Sequence, residues 1–308
     1  MKDIRIFTVT DFLNAFDAPA EDTYFVQEEI ARHDFRYRRL EQDERDTLIL
    51  SVLRSLDSFN QVGEHRHPIW EMAWGEIAER YAASKNDLAA LEPSFISKST
   101  HIRLQGDYAL PLTTGFEFNY FRVLRRWLFV KYLAKFQRVW EFGCGSGFNL
   151  AALAQLAPEK ELVGLDWAYS AVDLINHVAK FHGFRLQGRH FDLFHPDPVL
   201  HLEKNTAVMT FCALEQIGEG FQQFLDWLIE RRPGLVIHME PIADFYNSES
   251  LYDNIAFRYH QGRKYLQGYL PSLRKLMDAR QIELIKSHRL GMGSLYHEGY
   301  SLLIWRPM

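Results

Sequence analysis

The stretch VWEFGCGSGFNLAALAQL (139–156) decides the fold. A short apolar run, RVWEF (138–142), reads as a buried strand that enters Gly143, Gly145 and Gly147, and an amphipathic helix, NLAALAQLA (149–157), follows at once. A plain strand-to-helix turn needs only one glycine. Three in alternation let the backbone approach a ligand, and the N–H groups at the helix start, with the positive end of its dipole, suit a carboxylate. Glu141, near the strand end, offers a partner for an ammonium group, directly or through water. Phe148 stands where a dinucleotide-binding loop has its third glycine for close helix–strand packing, which disfavours a nicotinamide cofactor.

Outward from this loop the chain alternates. ELVGLD (161–166) reads as a strand, SAVDLINHVAKFHG (170–183) as a helix, and RLQGRHFD (185–192) and AVMTFCA (207–213) as strands. FQQFLDWLIERR (221–232) reads as a helix, LVIHME (235–240) as a strand after a Pro233-Gly234 turn, and 263–279 as a helix. IELIKSHR (282–289) and GYSLLIWRP (299–307) are joined by a link too short for a helical crossover, so they pair antiparallel. The expectation is an α/β, Rossmann-like, seven-stranded and mostly parallel sheet with an antiparallel last strand.

Upstream, apolar residues recur at helical spacing over 44–59, 69–83 and 116–136, separated by the turn-like runs NQVGEHRHP (60–68) and LEPSFISKST (91–100). This predicts a helical cap over residues 1–115 and one α/β domain over 116–308. The 308 residues are 47% hydrophobic, enough for a real core. A net charge of -5 gives no general attraction to nucleic acid or anionic lipid. Cys144 and Cys212 lack metal-like or disulfide-like spacing, which fits a reducing cytoplasm. Neither a secretory h-region nor an apolar run of about 18 residues is present.

Asp166 ends the second strand of the alternating part, where nucleotide binders keep a carboxylate for ribose hydroxyls, and Trp167 follows it. Asp192 ends the third strand, flanked by Phe191 and Leu193. Together VWEFGCGSG, LVGLD, FDLF, the Pro233-Gly234 turn and the closing hairpin resemble the class I S-adenosylmethionine-dependent methyltransferase family over about residues 116–308. The resemblance implies S-adenosylmethionine as cofactor. It makes Glu141, Gly143, Cys144, Gly145 and Gly147 the cradle of the methionine moiety, Asp166 the ribose ligand and Asp192 the adenine contact. Trp167 and Leu193 would cover the adenine, and Cys212 and Ala213 would flank the methionine end.

A sulfonium methyl is already activated, so the protein has to align the acceptor, exclude water and, for a hydroxyl, remove a proton. The groups for this belong at the carboxyl ends of the strands. Glu240 and His260 are the leading catalytic pair, and Glu215, Arg263, Tyr296 and His297 are substrate candidates. Tyr108 and Tyr120, in an aromatic cluster with Phe116, Phe118 and Phe121, are candidates for a lid. The fourth strand ends TFCALEQIG, without the Asn-Pro-Pro-Tyr run of amide or base methylation, which favours a small-molecule or peptide acceptor over nucleic acid. His65, His67 and Glu71 lack closed-site spacing, so no metal is expected, and Arg122, Arg125, Arg126 and Lys131 read as a solvated helix face. The competing readings are a catalytically silent cofactor-binding module that docks a partner through residues 1–115, and a nicotinamide-dependent oxidoreductase.

Overall fold

The computed structural model describes residues 3–93 and 100–308, so most of the turn-like run 91–100 lies outside the described residues. Four strands come from the first part of the chain: β1 (Ile4–Ile6), β2 (Arg36–Arg39), β3 (Ile102–Leu104) and β4 (Asp107–Pro111). The second part supplies β5 (Arg138–Phe142), β6 (Glu161–Asp166), β7 (Leu186–His190), β8 (Thr206–Phe211), β9 (Leu235–Glu240), β10 (Ile282–Gly293) and β11 (Tyr300–Pro307). All eleven join one sheet in the order β1-β2-β4-β3-β10-β11-β9-β8-β5-β6-β7. From β9 through β8, β5 and β6 to β7 the neighbours are parallel. Strands β8 and β9, TAVMTF and LVIHME, are buried at every position, as strands covered on both faces must be.

The seven-stranded sheet expected from the sequence is therefore only the second part of a larger one. Strand β11 runs antiparallel between β9 and β10, and β10 then pairs antiparallel with β3, extending the sheet through β4 and β2 to β1. Antiparallel neighbours outnumber parallel ones. The four added strands are three to five residues long, and β2 reads RYRR, so neither length nor alternation announces them. Short, charged strands suit a sheet edge, where a long apolar one would template aggregation.

The helices are α1 (Val9–Phe16), α2 (Thr23–Ala31), α3 (Gln42–Ser55), α4 (His67–Ala83), α5 (Phe116–Tyr132), α6 (Phe148–Leu156), α7 (Tyr169–His182), α8 (Phe221–Arg231), α9 (Leu251–Arg263) and α10 (Tyr269–Asp278). The first part is thus a mixture of helices and strands rather than a helical cap. Helix α1 opens on a capping box between Thr8 and Asp11, and its Phe12 and Phe16 pack edge-on and tilted against Tyr120 and Trp127 of α5. One hydrophobic core runs from these rings to Leu290, Met292 and Leu302 on β10 and β11.

Two further expectations are corrected. The helix predicted over 263–279 begins only at Tyr269, and α9 precedes it, closed by Lys264 in the left-handed conformation (φ 56°). Helix α9 was hidden because its buried face includes Asp253 and His260, which break the apolar period. The basic side chains of α5 do not form a solvated face. Arg122 pairs with Glu92 at 2.5 Å, Arg125 donates to Asn149 Oδ1, Arg126 to the Phe25 carbonyl, and Lys131 to the buried Asp22 at 2.5 Å. Among the described residues no helix is long and apolar enough to cross a membrane.

Candidate active site

The parallel strands end together at the glycine loop. Gly143 has φ +65°, and a Cβ there would stand 2.4 Å from that of Ala213; Gly145 has φ +53°, and a Cβ would meet the Trp74 ring at 2.6 Å. Only glycine fits either place. Gly147 packs on Ile175 and starts α6. Asp166, at the end of β6, fixes the loop: Gly145 N–H donates to its Oδ2 at 2.8 Å and Ala168 N–H to its Oδ1 at 3.0 Å.

Two adjoining cavities open at these strand ends. The smaller, about 70 Å³, is lined by Asp166, Trp167, Phe191, Asp192, Leu193 and Phe194. The larger, about 540 Å³, lies against Glu141, Cys144, Gly145, Asn149, Glu117 and Glu215, with aromatic walls from Phe121, Tyr259 and Tyr296. Gly143, Cys212, Trp70 and Trp74 line both. Of the residues expected to hold the cofactor, all except Gly147 line one cavity or the other. Of the substrate candidates, Glu215, Tyr296 and His297 line the larger one.

The other candidates lie elsewhere. Tyr108 and Tyr120 are fully buried core residues; the Tyr108 hydroxyl accepts from Arg103 at 3.1 Å, and that of Tyr120 donates to the Leu290 carbonyl at 3.4 Å. Arg263 is in the last turn of α9 and donates to the Asn60 carbonyl. The leading pair, Glu240 and His260, is fully buried and lines neither cavity. Glu240 accepts from the Ala213 N–H at 3.1 Å and the Glu215 N–H at 3.4 Å, so it shapes the turn that presents Glu215. His260 Nε2 lies 3.1 Å from His297 Nδ1, behind the cavity wall.

Helix α4 roofs the site. Trp70 and Trp74, one turn apart, stack with centroids 5.5 Å apart and line both cavities. Glu71 anchors the helix by accepting from Tyr169 N–H (2.9 Å) and Ser170 N–H (2.8 Å), the free donors at the start of α7, where Ala168 at the cap provides no side-chain acceptor. His67 contacts the Trp167 carbonyl at 3.2 Å. These are structural roles for two of the residues weighed as metal ligands. Sequence reasoning passed over Glu117, Trp70 and Trp74. The available signal was the four-residue spacing of Trp70 with Trp74 and of Glu117 with Phe121, which places each pair on one helix face.

The cavity carboxyls are poorly solvated. Glu141 is 1% exposed, its Oε1 accepts from Asn149 at 2.8 Å, and its buried Oε2 has no partner. Burial raises Glu141 to about 8 and Glu117 to about 7. Burial, and then the neighbouring Glu240, raise Glu215. Above neutrality the folded protein therefore holds carboxyl protons that an unfolded chain, with carboxyls near 4.5, has released, so stability falls as pH rises. The buried His238 and His260, depressed to about 3, are neutral there and add no opposing slope once unfolded histidine has also lost its proton. Calorimetric melting of the ligand-free protein should give a Tm that falls between about pH 7 and 8.5, and Glu141→Gln should flatten the fall. A rising Tm in wild type would contradict this assignment.

No family model matches the chain, and no curated protein matches it. Solved structures resemble it in part. An O-methyltransferase from neocarzinostatin biosynthesis, solved with S-adenosylmethionine and 2-hydroxy-5-methyl naphthoic acid, is 16% identical with a TM-score of 0.40, over 63% of this chain and 58% of that one. Magnesium protoporphyrin IX methyltransferase from Synechocystis PCC 6803, with bound S-adenosylmethionine, is 15% identical with a TM-score of 0.42, over 61% and 77%. The cyclase SpnF is 13% identical with a TM-score of 0.48, over 76% and 94%. This chain spans less than two thirds of the first of these proteins. The decisive observation is in the sheet itself: five parallel strands, β7-β6-β5-β8-β9, continue through the antiparallel β11 to β10, with the glycine loop at the central strand β5. The fold is class I methyltransferase-like. In that fold the ligand crevice lies at the carboxyl ends of the parallel strands, where both cavities are found.

Proposed function

We propose that the protein transfers a methyl group from S-adenosylmethionine to a small molecule held in the larger cavity. The observation that carries this reading is the unpartnered, buried Oε2 of Glu141 beside the glycine cradle, an acceptor suited to the cofactor's ammonium. The remaining residues fit the rest of the group. The N-terminus of α6 suits its carboxylate, Asp166 its ribose, and Asp192 with Trp167, Leu193 and Phe194 its adenine.

When bound, S-adenosylmethionine supplies an electrophilic methyl on a sulfonium sulfur. The chain's own part is alignment and exclusion of water. Trp70, Trp74, Gly143 and Cys212 lie where the two cavities adjoin, and Glu240 holds the 213–215 turn that presents Glu215. An interaction module with a silent site would fill this space with side chains; a cavity of about 540 Å³ is of the size that takes a small substrate.

Incubation with methyl-labelled S-adenosylmethionine and a fractionated metabolite extract should yield a labelled small molecule. Gly145→Val, which drives a branched side chain into Trp74, should abolish the label. Absence of any labelled product across fractions, with the cofactor bound, would favour the silent module instead.

A further inference from the structure

Resting on the methyl-transfer reading, the larger cavity also carries information about its acceptor. Glu117, in the first turn of α5, and Glu215, in the turn after β8, both face it, and neither is required to hold the cofactor. The Tyr300 hydroxyl donates to Glu117 Oε1 at 3.3 Å, and Gln216 donates to Glu215 Oε1 at 2.7 Å, so both carboxyls have neutral donors. Among the described residues that line the cavity there is no lysine or arginine. Its imidazole, His297, is kept neutral by burial and by the nearby His260.

The walls are aromatic. Tyr259 and Tyr296 stack at 5.3 Å with an interplanar angle of 15°, and Phe121 and Trp70 add further ring surface. An anionic acceptor would meet acidic groups and no cationic side chain among the described lining residues, whereas a cationic one would draw the buried Glu117 and Glu215 carboxyls into their ionised form. A cation meets acidic groups and the negative faces of rings.

We infer that the methyl acceptor is an amine on an aromatic body, bound as its ammonium by the carboxylates of Glu117 and Glu215 and packed against Tyr259 and Tyr296. Before methylation one N–H bond of the ammonium breaks and its proton passes to the Glu215 carboxylate, which frees the nitrogen lone pair. That pair forms the N–CH₃ bond as the S–CH₃ bond of S-adenosylmethionine breaks, and the electrons of the broken bond remain on sulfur, leaving the thioether. The product leaves as its N-methylammonium, and the protonated carboxyl releases its proton to solvent.

The test uses two probes that share a phenol ring and differ in charge, tyramine and 4-hydroxyphenylacetate. Each is titrated into the full chain with and without S-adenosylhomocysteine. Tyramine should bind and the acid should not, and Glu117→Gln and Glu215→Gln should each weaken tyramine by about tenfold or more. Both variants should keep S-adenosylhomocysteine affinity within about twofold, which also shows that they fold. Equal or tighter binding of the acid, binding of neither probe, or tyramine affinity unchanged in both variants overturns the inference. The wild-type comparison stands whatever the variants do. Failure of S-adenosylhomocysteine to bind while tyramine binds would overturn the methyl-transfer reading instead, and the two failures are distinguished because tyramine is also measured alone.

Discussion

Asp166→Ala should abolish measurable binding of S-adenosylhomocysteine and destabilise the protein by about 2–4 kcal/mol. The carboxylate is 4% exposed and accepts from two backbone N–H groups, those of Gly145 and Ala168. Alanine leaves both donors buried without an acceptor, at about 1–3 kcal/mol each. Part of that loss is returned, because burial already raises Asp166 to about 6 and its removal relieves the desolvation. The loop would then lose the contact that sets Gly145 under Trp74, and the proposed ribose ligand would be gone as well. Asp166→Asn keeps one acceptor oxygen and should retain more stability than binding. Urea denaturation gives the first quantity and calorimetric titration the second; an alanine variant that bound normally would remove Asp166 from the cofactor site.

The second large effect is expected at the other wall. Arg289 on β10 donates to Asp253 on α9 (2.6 and 2.8 Å) and to Glu298 in the loop before β11 (2.5 and 2.9 Å). Glu298 is 1% exposed, so Arg289→Met leaves a buried carboxylate facing an apolar side chain, a loss of about 3–5 kcal/mol. The neighbours of Glu298 are His297 and Gly299, which line the larger cavity, so weaker tyramine binding should accompany the lower Tm. The double variant Arg289→Met with Glu298→Met should be more stable than the single one, because it removes the uncompensated charge. A double variant no more stable than Arg289→Met would show that the network acts through packing rather than charge.

The second half of the chain was legible because its strands are apolar runs and its helices keep a clean period. The glycine loop, Asp166 and Asp192 followed from where those runs end. Strands β1 to β4 were not legible, since short segments become strands only by pairing, IRI with β2 and IRL with β4 and β10. The site divided along the same line. Glu215 was found from its place after a readable strand, whereas Glu117 and Trp74 sit on helices whose faces were evident but whose direction toward the cavity is a tertiary fact. Tyr108 and Tyr120 misled for the opposite reason. Each hydroxyl is satisfied within the core, by Arg103 and by the Leu290 carbonyl, and a polar handle on an aromatic does not say which partner it meets. Glu240 and His260 lie one layer behind the cavity, a distinction of a few ångströms that strand-end position does not resolve.

The most direct test of the central claim is calorimetric titration of the purified protein with S-adenosylhomocysteine and, separately, with NAD. Saturable binding of S-adenosylhomocysteine that disappears in Asp166→Ala, with no binding of NAD, is the expected result. Binding of NAD without S-adenosylhomocysteine would contradict it.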